Sequence, residues 1–107
     1  MGAAVKTTES KVAINEALEL FHRRWLLRMV WELRDGPLTF RALQERGGEL
    51  SPTVVNQRLR ELKDSALVVS GSDGYQLTPL GNELLESFAP MIKWSLRWHR
   101  SKRRVRH

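Results

Sequence analysis

Apolar residues recur at helical spacing along most of the chain, and short polar breaks divide them into elements. A first helix is predicted from about Lys11, and residues 22–24 interrupt or bend it. Its apolar residues are Ile14, Ala17, Leu18 and Phe21. A second helix is predicted to end near Arg34, because the Asp-Gly-Pro sequence that follows stops a helix. Apolar residues surround more than one of its faces, so we expect it to be the most buried element.

The middle of the chain predicts two short helices joined by a tight glycine turn. Thr39 has the residue type of an N-cap for the first of them, and two glycines at positions 47 and 48 end it by permitting a left-handed backbone. Ser51 followed by Pro52 opens the second, since serine caps helices and proline is favoured at the first helical position. The apolar face of this second helix consists of Val55, Leu59, Leu62 and Ala66.

After the helical pattern ends near Leu67, two short apolar runs at residues 67–69 and 75–77 flank a Gly/Asp turn, which predicts a β-hairpin. Thr78 and Pro79 begin a last helix, which we expect Pro90 to kink. One apolar stripe of this helix holds Leu80, Leu84, Phe88, Met91 and Trp98, and a second holds Leu85, Ile92 and Leu96. The order of elements predicts a mainly α fold with a small β-hairpin wing, the winged helix-turn-helix.

Length and composition indicate one domain. The chain has 107 residues, of which 41% are hydrophobic and 28% charged. We expect a flexible leader at residues 1–10, the winged helix-turn-helix domain with its terminal dimerisation helices at 11–100, and a basic tail at 101–107. The most apolar run, residues 25–33, is shorter than the roughly 18 residues of a membrane span, and cysteine is absent. These features predict a cytoplasmic protein without membrane association or disulfides.

The positive charge is concentrated at the C-terminus. The net charge is +6, and six basic residues without any acid lie from Arg97 onward, so the rest of the chain is electrically balanced. Two explanations of this segment remain open, a solvated tail that maintains solubility and an arm that lies along DNA phosphates.

The second short helix carries the candidate DNA-reading surface. With Val55, Leu59 and Leu62 facing inward, a step of about 100° per residue places Thr53, Gln57, Arg60 and Asp64 opposite, with Asn56 and Lys63 beside them. Amide, guanidinium and threonine side chains are suited to base edges. A solvated face would be the better explanation for an isolated helix, but the helix-turn-helix and hairpin favour DNA binding. The candidate DNA-binding residues are Ser51, Thr53, Asn56, Gln57, Arg60, Lys63, Arg24 and Arg41.

Four blocks of sequence, in this order, resemble the HxlR-type winged-helix regulators and, more distantly, the MarR regulators. They are ALEL followed by RWLL (17–20 and 24–27), GPLTFRAL (36–43), LSPTVVNQRLREL (50–62) and LTPLG (77–81). The third block is the most specific, and the resemblance extends over about residues 17–98. It implies a prokaryotic DNA-binding homodimer, built from the first and last helices, that represses or activates transcription from a nearby operator.

The chain departs from this family pattern in three places. Val12 and Ala13 stand near the point where many members have a Cys-Pro pair for sensing aldehydes or oxidants, which excludes thiol sensing. The short wing tip carries Asp73 and no cation, so we expect it to add little DNA affinity. His22 and Arg23 replace the glycines usual before the Arg-Trp pair, which predicts an altered junction between the first two helices.

Apolar surface on the terminal helices exceeds what one small domain can bury, which predicts a twofold dimer. Such symmetry would set two recognition helices roughly 34 Å apart and implies a palindromic operator. The candidate interface residues are Ile14, Leu18, Phe21, Phe88, Met91, Ile92 and Trp98.

Other chemistry has little support in the sequence. The three histidines have neither cysteine neighbours nor metal-ligand spacing, and no nucleophile or phosphate-loop motif is present. We therefore expect no metal, no cofactor and no enzymatic activity, and the sequence identifies no effector. The alternative to a DNA-binding regulator is a winged-helix module that binds another protein.

Overall fold

The computed structural model describes residues 7–106, and side-chain environments for residues 7–103. Five helices and one hairpin form the winged helix-turn-helix fold that the sequence predicts. In chain order the elements are α1 (Thr7–Phe21), α2 (Leu26–Glu32), a 3-10 turn (Leu33–Asp35), α3 (Phe40–Arg46), α4 (Pro52–Asp64), β1 (Val68–Gly71), β2 (Gly74–Leu77) and α5 (Pro79–Arg106).

Two terminal boundaries differ from the prediction. Helix α1 begins at Thr7, so the leader predicted at residues 1–10 is too long at its C-terminal end, and residues 1–6 lie outside the described part. Residues 7–10 are helical, exposed and polar, so no apolar periodicity indicates this turn in the sequence. At the other end, α5 continues to Arg106, so the basic residues predicted as a separate tail extend the last helix. They are good helix formers, and neither glycine nor proline follows Pro90.

The core forms around α2, as the sequence predicts. Leu26 and Val30 are fully buried, and Met29 is nearly so. The other elements add buried apolar side chains to one continuous cluster, except α1 and β2, which pack partly buried side chains against it. Its remaining buried members are Leu33, Leu43, Leu50, Val55, Leu59, Leu62, Leu67, Val68 and Phe88.

The hairpin is anchored to the segment that precedes α3. Strands β1 and β2 pair antiparallel, with Val68 opposite Leu77. Leu38 and Tyr75 exchange backbone hydrogen bonds of 3.0 and 2.8 Å, which adds one bridge to the edge of β2 that faces away from β1. Gly74 permits this approach, because its φ is +118° and a Cβ atom there would lie 2.4 Å from the Leu38 carbonyl oxygen. The wing is therefore held against the start of the helix-turn-helix.

Thr78 joins the end of α4 to the start of α5, and it is the helix cap that the sequence predicts. Its hydroxyl donates to the Ala66 carbonyl oxygen at 2.7 Å and accepts from the Gly81 amide at 2.9 Å. Helix α5 then packs on the core as far as Phe88 and leaves it. Every described side chain from Met91 to Arg103 is exposed. None of the helices in the described chain combines the length and apolarity needed to cross a bilayer.

Candidate nucleic-acid interface

Helices α3 and α4 form the helix-turn-helix, and a side chain caps the start of each. The Thr39 hydroxyl accepts from the Ala42 amide at 3.1 Å, and the Ser51 hydroxyl accepts from the Val54 amide at 3.2 Å. Both caps are where the sequence predicts them. Between the helices, Gly48 has a φ of +90°, which glycine adopts without strain. The turn is closed by Leu50, whose side chain is buried and whose amide donates to the Gln44 carbonyl oxygen at 3.2 Å.

Helix α4 has one buried face and one polar face, in the predicted orientation. Val55 and Leu62 are fully buried and Leu59 is 3% exposed, which fixes the rotation of the helix on the core. The predicted DNA-reading side chains all lie in the exposed class and form one continuous surface with the capped N-terminus. They are Ser51, Thr53, Asn56, Gln57, Arg60 and Lys63.

Three of the predicted cationic residues have partners on the protein surface. Lys63 Nζ lies 5.0 Å from the centre of the Tyr75 ring, which links α4 to the wing. Arg41 Nε forms an ion pair with Glu45 at 3.1 Å, and the Arg24 guanidinium lies 5.1 Å from the centre of the Trp25 ring. Exposed pairs of this kind contribute at most about 1 kcal/mol, so they leave these cations available to phosphate.

A cluster of two arginines around Glu61 is absent from the sequence-based prediction. Arg23 NH1 donates to Glu61 Oε2 at 2.7 Å, and Arg58 NH1 donates to Glu61 Oε1. Burial raises the pKa of Glu61, but hydrogen bonds and charges from Arg58 and Arg23 outweigh it and hold the pKa below its ordinary value. Arg58 and Glu61 could have been paired from their i, i+3 spacing. Arg23 is 38 residues from Glu61, and no periodicity predicts that contact.

The wing contributes no positive charge to this surface. Its strands and turn carry one ionisable acid, Asp73, and no lysine or arginine. A carboxylate there would repel a DNA phosphate, so the cations available near α4 come from parts of the chain outside the wing.

Most of the predicted dimer residues form an apolar surface on α1 and α5. Ile14 and Leu18 are 53% and 57% exposed, whereas Phe21 is partly buried against the core. On α5, the exposed residues of the predicted set are Met91, Ile92 and Trp98. Trp98 stacks on Trp94, with ring centres 5.5 Å apart.

Phe88 is placed differently from the other predicted interface residues. It is 9% exposed and belongs to the core of its own chain, so its assignment to the dimer surface is corrected. The helical stripe that contains it is continuous in sequence, but α5 leaves the core just beyond it. Helical periodicity identifies the apolar stripe, but it does not identify the residue at which α5 leaves the core.

Two further observations on the described residues concern small ligands. Over the described residues, no three His, Asp or Glu side chains come together as metal ligands would. An apolar groove of about 330 Å³ lies between α1 and α5, lined in part by Ala17, Phe21, Leu80 and Leu84.

Comparison with known proteins identifies the family. The family model described as HxlR-like helix-turn-helix matches residues 20–103. The quinone-bound YodB from B. subtilis is 28% identical, with a TM-score of 0.72 and coverage of 79% of this chain and 97% of its own. A putative MarR-family regulator from Enterococcus faecalis V583 is 27% identical, with a TM-score of 0.77 and coverage of 95% and 99%.

A third solved structure shares the fold. A possible HxlR-family transcriptional factor from Thermoplasma volcanium GSS1 is 23% identical, with a TM-score of 0.72 and coverage of 90% and 87%. No curated protein sequence matches the chain. The family match extends over most of the chain and includes the whole helix-turn-helix, the wing and α5 as far as residue 103. The chain therefore belongs to the HxlR-like helix-turn-helix family of DNA-binding transcriptional regulators.

Proposed function

We propose that this chain is a sequence-specific transcriptional regulator that acts as a homodimer on a palindromic operator, with α4 in the DNA major groove. The observation that carries the proposal is the two-sided character of α4. One face is held on the core by three buried residues, and the opposite face exposes side chains that can read bases. Because its target is genomic DNA, the proposed site of action is the prokaryotic cytoplasm.

The proposed base contacts follow from the chemistry of the exposed face. Asn56 and Gln57 carry amides that pair with adenine, Arg60 carries a guanidinium that pairs with guanine, and the Thr53 methyl group fits against a thymine methyl. Within the described residues, Arg60 forms no ion pair, so no internal partner has to be displaced before it meets a base.

The proposed phosphate contacts surround this reading face. Ser51 caps the N-terminus of α4, where backbone amides and the positive end of the helix dipole favour a phosphate. Arg24, Arg41 and Lys63 are exposed basic residues that phosphate oxygens can reach. These contacts would position the protein on the duplex without reading its sequence.

The proposed dimer joins the exposed apolar surfaces of α1 and α5. Their charges are complementary, since α1 exposes Glu9, Glu16 and Glu19 against a single lysine. The described part of α5 beyond Pro90 carries only positive charges, with Lys93 and Arg97 in its first two turns. A second copy of the chain would therefore cover the exposed apolar side chains and would place the acidic α1 of one copy against the basic α5 of the other. A twofold axis between the copies favours a palindromic operator, with half-sites about 34 Å apart.

The experiment begins with selection of duplexes from a random pool by the wild-type protein. Fluorescence anisotropy then compares the selected duplex with a scrambled one of equal length. We expect Arg60→Ala and Gln57→Ala to weaken binding to the selected duplex by about 1–3 kcal/mol each, with unchanged melting temperature. Arg34→Ala is the control for loss of one positive charge, because Arg34 stacks on Trp31 outside α4.

The results separate the candidate roles of these residues. Equal losses on both duplexes would show that Arg60 and Gln57 contact only phosphate. If selection enriches no sequence, the regulator proposal fails, and the alternative of a protein-binding winged-helix module is favoured.

A further inference from the structure

The Glu61 cluster connects two parts of the molecule that are distant in sequence. Glu61 lies on α4 between Arg60, proposed to read a base, and the buried Leu62. Its two carboxylate oxygens are held by different arginines, Arg58 from the same helix and Arg23 from the turn between α1 and α2. The Arg23, Glu61 and Arg58 side chains are 47%, 21% and 17% exposed, so the cluster is partly shielded from solvent.

The turn that carries Arg23 has a defined conformation. The Arg23 amide donates to the Leu20 carbonyl oxygen at 3.2 Å, and the Arg23 carbonyl oxygen accepts from the Leu26 amide at 3.1 Å. Trp25 follows with a φ of +75°, an uncommon conformation for a non-glycine residue. Arg23 is therefore fixed to the end of α1, the helix of the proposed dimer surface, and its ion pair extends that restraint to α4.

Small rotations of α4 would matter for base reading. Side chains extend about 5–6 Å from a helix axis, so a rotation of 10° displaces their ends by about 1 Å. Productive binding geometry tolerates displacements of about 0.5 Å. The buried residues Val55 and Leu59 hold α4 from the core side, and the Arg23 contact is a polar restraint at the edge of the exposed face.

We propose that the Arg23–Glu61 ion pair is a specificity-determining contact that positions α4, so that Arg60 and Gln57 meet their bases in register. Neither Arg23 nor Glu61 touches a base in this proposal. The inference rests on the proposed function, since it concerns the same DNA-reading helix.

Glu61→Gln distinguishes positioning from simple electrostatics. Removing a negative charge beside DNA raises affinity for every sequence if electrostatics alone acts. Positioning predicts a lower affinity for the selected duplex. The protein's preference for the selected duplex over the scrambled one should therefore fall about three- to fivefold. Glutamine retains an oxygen that accepts a hydrogen bond from Arg58, so we expect the fold to be kept.

Arg23 variants test the other partner of the pair. Arg23→Ala should lower the preference by a similar factor, whereas Arg23→Lys, which keeps the charge, should restore most of it. The double variant Arg23→Ala/Glu61→Gln should lose no more than either single variant, because both remove the same contact. The matched control is Arg28→Ala, which breaks the 2.7 Å ion pair of a 49%-exposed arginine with Glu32 within α2.

Melting temperature and both binding constants are measured for each variant. The proposal is supported if Glu61→Gln and Arg23→Ala both reduce the preference for the selected duplex without changing the melting temperature. The control Arg28→Ala should leave the preference unchanged. If Arg23→Ala prefers the selected duplex as strongly as the wild-type protein does, the positioning role of the ion pair is overturned. The proposed function survives that result, because the wild-type protein still prefers the selected duplex. If Glu61→Gln lowers the melting temperature, the proposal is judged from the Arg23 variants instead. It then requires that Arg23→Ala reduces the preference and that Arg23→Lys restores most of it. A wild-type protein that prefers no duplex overturns both proposals.

Discussion

Replacement of Trp98 by glutamate should separate the proposed dimer into monomers. A fully covered tryptophan buries about 150–250 Å², and Trp98 is 50% exposed in the single chain, which leaves about 100 Å² for a partner. At about 25 cal/mol per Å², covering this area contributes about 2.5 kcal/mol per protomer and about 5 kcal/mol for two symmetric copies. Losing it would weaken dimerisation by about 3.5 orders of magnitude, before the cost of desolvating two carboxylates is added.

Sedimentation equilibrium at micromolar concentration measures this change directly. The wild-type protein should sediment as a dimer and Trp98→Glu as a monomer, with helical circular dichroism retained. Val69→Glu is the matched control, because Val69 is 38% exposed on β1, outside both dimer helices. A monomeric wild type would refute the dimer, and a dimeric Trp98→Glu would refute the place of Trp98 in it. Phe88→Glu is unsuitable as a test, since Phe88 is buried in the core.

Three further outcomes are expected. Thr78→Val removes the hydroxyl that contacts Ala66 and Gly81, and should lower the free energy of unfolding in urea by about 1–2 kcal/mol, whereas Thr78→Ser should not. Phe88→Ala should lower it by about 3–5 kcal/mol, and a cost below 1 kcal/mol would contradict core packing. Deletion of residues 101–107 should weaken binding alike for all duplexes and flatten the dependence of affinity on salt, and an unchanged slope would exclude phosphate contact by this segment.

The features that sequence could predict are those set by neighbours along the chain. The caps at Thr39, Ser51 and Thr78 depend on a hydroxyl placed three residues before the amide that it binds, so residue type and position suffice. The buried face of α4 follows in the same way from the spacing of Val55 and Leu59. Local rules therefore gave the fold and the orientation of the candidate reading helix.

The features that sequence could not predict depend on how elements meet in space. Burial of Phe88 depends on where α5 leaves the core, and a periodic stripe has the same appearance before and after that point. The Arg23–Glu61 pair joins residues brought together only by the fold. Each of these required the three-dimensional arrangement of at least two elements.

The attachment of α4 at two points leads to a final prediction about operator geometry. Glu61 ties its third turn to the end of α1 through Arg23, and the segment after its C-terminus is tied to α5 through the hydrogen bond between Thr78 and Ala66. In the proposed dimer, α1 and α5 form the interface, so the separation and rotation of the two α4 helices are both fixed. With about 10.5 base pairs per turn, one inserted base pair rotates the half-sites by about 34°.

A rigid dimer cannot follow that rotation without losing one half-site. Binding to a selected palindrome should therefore fall to the affinity of a single half-site when one base pair is inserted at its centre. It should stay at that level when a full turn is inserted, because a dimer of fixed separation cannot span about 34 Å more. The measurement is anisotropy with duplexes that differ only in the central spacer. Equal affinity for the original and the one-base-pair insertion would mean that α4 moves freely relative to the dimer helices, and would contradict the argument from Arg23 and Thr78.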